Sequence, residues 1–102
     1  MQYAIRVTET SVHVDLSGEL TFNDSRTFRL LLSQMKPSND QQEVALNIKD
    51  LSNIDSSGLE MLLHAHDNAK RHRTRLVFIH PQGQVLKKLS AAATCNQLNI
   101  VA

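Results

Sequence analysis

Residues 50–67 read DLSNIDSSGLEMLLHAHD, and their character changes midway, from a run of small polar turn formers to an amphipathic pattern. With residues about 100° apart and Leu59 taken as zero, Leu62, Leu63, Ala65 and Ala69 share one arc, while Glu60, His64, Asp67, Asn68 and Arg71 lie opposite. This predicts a helix that starts at Ser57, and a loop before it. Upstream, Val44, Leu46 and Ile48 alternate, and downstream Leu76, Val77, Phe78 and Ile79 form a continuous apolar run, so a strand is expected on either side. A strand–helix–strand unit of this kind favours parallel pairing through a right-handed crossover.

The rest of the chain extends that unit. Tyr3, Ile5 and Val7, then Val12, Val14 and Leu16, alternate with polar residues, which predicts a hairpin of two half-buried strands. Phe28, Leu31, Leu32 and Met35 follow the spacing of one helix face, with Thr21 and Asp24 as a capping pair upstream. Pro37, Ser38, Asn39 and Asp40 end that helix. After Pro81, Val85, Leu86, Leu89 and the alanines at 91–93 form a third helical pattern, followed by a short strand at 98–101. The expected fold is α/β: one small domain over residues 1–102, a mixed sheet of about five strands, and three helices packed mainly on one face.

Composition sets the class. The chain has 102 residues with 11 Lys+Arg against 10 Asp+Glu, enough for one modest core and a function carried on the surface. A net charge of +1 is no electrostatic footprint for nucleic acid, and no apolar run reaches the ~18 residues of a membrane span. The first residues lack the apolar stretch of a secretory signal, and one cysteine forms no internal disulfide, so a cytoplasmic location is expected.

The chemistry concentrates at the start of the middle helix. Ser57 and Glu60 have capping-box spacing, which makes Ser57 the expected N-cap and leaves the Ser56 hydroxyl on an exposed turn with no structural duty. Gly58 then falls in the first turn, where it costs about 1 kcal/mol relative to alanine, so an accessible backbone is expected to be needed there, for instance for close approach of another protein. A phosphoryl group on Ser56 would add roughly −1.5 to −2 charges beside Asp55, at a helix end that tolerates anions. The fold would survive the modification, and a partner packed on the helix start would not.

The run Leu51-Ser52-Asn53-Ile54-Asp55-Ser56-Ser57-Gly58-Leu59, set between a strand and an amphipathic helix, resembles the signature of STAS domains, specifically the stand-alone anti-sigma factor antagonists. Leu16-Ser17-Gly18-Glu19-Leu20 resembles the second landmark of that family. The resemblance implies phosphorylation at Ser56, with Asp55, Ser57, Gly58, Leu59, Thr21 and Asp24 around it forming the partner-binding surface. It also implies a partner switch. The unphosphorylated protein would bind a serine kinase of histidine-kinase-like ATPase fold that doubles as an anti-sigma factor. Phosphorylation would end the complex, and a PP2C-type phosphatase would reset it. The output would be sigma-factor activity or another process such as biofilm formation or motility. No catalytic residue, cofactor or metal is implied for this chain, since ATP and metal ions belong to the partners. The family's alternative role is a STAS subunit docking on the ATPase of a membrane transporter, such as a phospholipid ABC system.

The chain departs from the family pattern at three places. Thr21 stands where an acidic residue is common, leaving Asp24 as the nearest carboxylate. Arg71-His72-Arg73-Thr74 replaces a glycine-rich turn, and Cys95-Asn96-Gln97-Leu98 replaces a glycine near the last helix's end.

Rival features weigh less. His64 and His66 are about 200° apart on a helix and point to opposite sides, so they do not share an ion; His66 falls on the apolar arc and is expected in the core. Lys70, Arg71, Arg73 and Arg75 form a basic run at a helix C-terminus, where cations complement the dipole, and no aromatic platform accompanies them. Cys95 is expected buried or half-buried and unreactive. Serine, histidine and aspartate show neither the spacing nor the nucleophile elbow of a hydrolase.

Overall fold

The alternating residues of the hairpin form the inner face of one end of a sheet. In a computed structural model, which describes residues 1–8, 10–34, 43–96 and 98–101 but not the side chains of 94–96, strand β1 (Gln2–Val7) pairs antiparallel with β2 (Ser11–Leu20). Tyr3 lies opposite Leu16 and Ile5 opposite Val14, so the apolar residues of both strands share a face. Val7, at the strand end, is 66% exposed despite its place in the pattern.

The chain then runs through a single 3-10 turn at Phe22–Asp24 into α1 (Ser25–Gln34), and on through β3 (Glu43–Ile54), α2 (Ser56–Arg71), β4 (Arg75–Ile79), α3 (Gly83–Asn96) and β5 (Asn99–Val101). The five strands lie in sequence order, and from β2 onward every neighbouring pair is parallel. The expected break at Pro37, Ser38, Asn39 and Asp40, the position of Met35 and the environment of Cys95 lie outside the described residues.

One cluster binds the layers. Val12, Val14, Leu16, Val44, Leu46, Ile48, Leu76 and Phe78 from the strands meet Phe28 and Leu31 of α1, Leu62, Ala65 and Ala69 of α2, and Val85 and Leu89 of α3. Each fully buried large apolar side chain contributes about 1.5–3 kcal/mol, more than helix propensity differences supply, so packing holds the three helices on this face. The opposite face is polar where β2 meets β3: Asn47 donates to the Asp15 carboxylate at 3.1 Å.

The strand before the middle helix is longer than its sequence suggests. Residues 51–54, expected as loop, continue β3 because they pair with the end of β2: Gly18 lies opposite Leu51, Glu19 opposite Asn53 and Leu20 opposite Ile54. Register shifts interrupt this pairing, and Gly18 takes φ +85°, a left-handed conformation that a side chain would strain. Leu51 and Ile54 are buried as a result. The bulged pairing carries the end of β2 beside the start of α2.

Candidate functional site

The two sequence landmarks meet at that junction, and Asp55 joins them. It is the N-cap of α2, its carboxylate accepting from the Gly58 amide at 2.7 Å; Ser57 is not the cap and already lies inside the helix. The other carboxylate oxygen of Asp55 accepts from the Phe22 amide at 3.1 Å, and the Asp55 amide donates to the Leu20 carbonyl at 3.3 Å. Asp55 takes the cap from Ser57 because its carboxylate satisfies a helix amide and a distant turn amide at once. Lys88 on α3 donates to the Ile54 carbonyl, bracing the same corner from the third helix.

Gly58 has a different reason from the one its sequence context suggests. It is buried, and a Cβ there would lie 2.1 Å from the Leu20 carbonyl oxygen and 3.0 Å from its carbon. The backbone in close approach is therefore the chain's own β2, not a partner's. With the glycine serving the interior, α2 can be drawn against the end of β2.

Around this corner the side chains divide by exposure. Ser56, the first residue of α2, is exposed; Ser57 and Leu59 are half-buried. Thr21 and Asp24 stand one turn away: the Asp24 carboxylate accepts from the Thr21 amide at 2.9 Å and pairs with the chain's amino terminus at 3.1 Å. Asp24 is thus engaged in closing its own turn. Between that turn, α1 and α2 runs a groove of about 480 Å³, whose apolar lining includes Phe22, Phe28, Leu32 and Met61, with Ser57 and Glu60 at its edge. Phe22 is 69% exposed at its mouth.

Sequence reasoning passed over Phe22, Met61 and Lys88. A signal existed for Phe22 alone: it is a large apolar residue in a polar turn, off the face defined by Phe28, Leu31 and Leu32. Met61 sits beside the expected arc, and nothing local marks Lys88. The helix arc itself holds, with Leu62, Ala65, His66 and Ala69 buried, Leu59 and Leu63 half-buried, and His64 exposed on the other side. Among the described residues no group of three His, Cys, Asp or Glu side chains is placed to hold a metal ion.

The electrostatics are set by amides. Hydrogen bonding from the Gly58 amide holds the Asp55 carboxyl below its ordinary 3.8, helped by the Phe22 amide and by Lys88, and the Thr21 amide does the same for Asp24. Groups with depressed folded pKa values stabilise the fold above the unfolded value and lose that contribution as pH falls through the folded one. Asp55→Asn retains a capping oxygen but not the charge. We therefore expect the wild type to be more stable than Asp55→Asn near neutral pH, with the difference closing below pH 3.8. Urea unfolding across the acid range checks this; a pH-independent difference would refute an ionised tie at Asp55.

Comparisons with known proteins follow the same geometry. The family model described as Mlab, STAS domain, matches residues 3–98. The anti-sigma factor antagonist SpoIIAA in its unphosphorylated form superposes with a TM-score of 0.70 at 19% identity, covering 99% of this chain and 88% of that one. The phosphorylated form of the Bacillus cell fate determinant SpoIIAA gives 0.67 at 18% identity, over 99% and 92%. The murine anion transporter Slc26a9 gives 0.69 at 17% identity, covering 79% of this chain and 13% of the transporter. At these identities the likenesses show a shared fold. Among the described residues no helix is long and apolar enough to cross a membrane.

Proposed function

The chain belongs to the STAS domain family, and from that premise we propose that it is a cytoplasmic partner-switching regulator controlled by phosphorylation of Ser56. One observation carries the proposal: an exposed serine at the first position of α2, directly after the residue that ties both landmarks together and next to Ser57, which lines an open apolar groove. When unphosphorylated, it binds a serine kinase of histidine-kinase-like ATPase fold, which also serves as an anti-sigma factor or controls a related output such as biofilm formation. A PP2C-type phosphatase reverses the modification. SpoIIAA, which shares this fold and is known in unphosphorylated and phosphorylated forms, supports the reading by analogy.

The local chemistry explains why phosphate acts as a switch and not as a staple. The Asp55 carboxylate already occupies the Gly58 amide, so an adjacent phosphate meets a fixed negative charge where an uncapped helix start would offer an amide. The modified group stays solvated, and a partner seated on the groove must desolvate it or leave. Ser56→Ala is expected to keep kinase binding, and Ser56→Asp to weaken it by tenfold or more. Mass spectrometry of the protein co-expressed with its kinase should locate phosphate at Ser56. Phosphate found only elsewhere would dismiss the site, and equal capture of kinase by both variants would dismiss the switch.

A second role, docking on the ATPase of a membrane transporter, has a looser parallel in the occurrence of this fold as a small part of the anion transporter Slc26a9. It predicts co-purification with a transporter ATPase that is indifferent to Ser56→Asp.

A further inference from the structure

At the far end of α2, roughly 20 Å along the helix axis from Ser56, lies a separate cavity of about 370 Å³ between the helix terminus, β4 and β5. Lys70, Arg73 and Arg75 line it together with His66, Thr74 and Asn99, and among the described residues no carboxylate does. We infer that this cavity binds a small phosphate-bearing anion, a phosphomonoester or diphosphate.

Helix capping does not account for the three cations. The last carbonyls of α2 already have partners: Ala69 accepts from the His72 and Thr74 amides, Lys70 from the Arg73 amide, and Asn68 pairs with the His72 ring at 2.8 Å. Among the described residues none of Lys70, Arg73 and Arg75 has a carboxylate within ion-pair distance. Two further features mark the cavity. His66 is only 8% exposed and lines it, and the His66 Nδ1 is buried with no hydrogen-bond partner, a costly state for a ring nitrogen. Arg73 takes φ +55°, a left-handed conformation natural to glycine and strained for arginine, at a turn whose side chain lines the same cavity. The chain thus holds a guanidinium at a position where backbone geometry alone would select glycine.

The volume and charge define the ligand class. The cavity lies at the lower end of small-molecule sites, and two guanidinium groups with an ammonium match the several oxygens and the double charge of phosphate better than a single carboxylate. The phosphate could be carried by a soluble metabolite or by a lipid headgroup, since both present the same oxygens.

The test uses the intact chain. Amide chemical shifts would be followed by NMR during titration with pyrophosphate and, separately, with ADP. Sedimentation would be measured with vesicles containing phosphatidylglycerol. Arg73→Gly, which suits the observed φ, and Lys70→Gln serve as variants. Saturable pyrophosphate or ADP binding, with shifts centred on residues 66–76 and 99 and at least tenfold weaker in both variants, supports a soluble phosphate ligand. Vesicle binding that pyrophosphate displaces and both variants weaken supports a lipid headgroup as the source. The proposal is overturned by an absence of saturable binding to every probe, or by binding that both variants leave unchanged.

Discussion

Gly58→Ala is expected to lower the melting temperature by roughly 10 °C, the reverse of what the same change does in an ordinary helix. Glycine inside a helix usually costs about 1 kcal/mol relative to alanine, so the substitution alone should stabilise α2. Here the added Cβ would lie 2.1 Å from the Leu20 carbonyl oxygen, a backbone atom in a paired strand that has no rotamer to escape into. Forcing extra volume into a packed site costs about 1–3 kcal/mol and occasionally more, and a backbone obstacle places this case at the upper end. After the propensity gain, a net loss of about 2 kcal/mol remains, at ~4–8 °C per kcal/mol for a domain of this size. Thermal unfolding followed by circular dichroism measures it. An unchanged or raised melting temperature would mean that α2 does not seat against β2 as described, and would remove the physical basis for joining the two landmarks at one surface.

The same contact shows what local sequence can convey. Among the described residues, alternation, continuous apolar runs and helical spacing located the five strands and three α-helices, because each pattern records which faces are buried. His66 was placed inside and His64 outside by angle alone, and both lie there. The misreadings gather at the junction, where the deciding partners are distant in sequence. Ser57 and Asp55 are both competent caps; what selects Asp55 is a second acceptor role toward Phe22, 33 residues earlier. Residues 51–54 have loop composition, and only pairing with Gly18, Glu19 and Leu20 makes them strand. The need for a glycine at position 58 was legible, but its cause was not, because the Leu20 carbonyl arrives through the sheet.

Phe22→Ala is expected to leave stability within about 0.5 kcal/mol while weakening the kinase complex roughly 30-fold. The ring is 69% exposed, so its removal opens no core cavity, and the Phe22 amide that donates to Asp55 is backbone and survives the substitution. A large aromatic held in solvent at the mouth of an apolar groove is the side chain that a docking partner would desolvate most completely. Truncating such an anchor costs about 2 kcal/mol or more in interfaces generally. Calorimetric titration with the captured kinase gives the number, and an unchanged affinity would show that the partner does not dock in this groove. Combination with Ser56→Asp separates two mechanisms. If phosphate acts by expelling the partner from the surface that Phe22 anchors, the two losses are coupled and the double variant binds more tightly than their sum predicts. If the losses add, charge at Ser56 acts on a contact independent of the groove, and the switch must run through the exposed start of α2 alone.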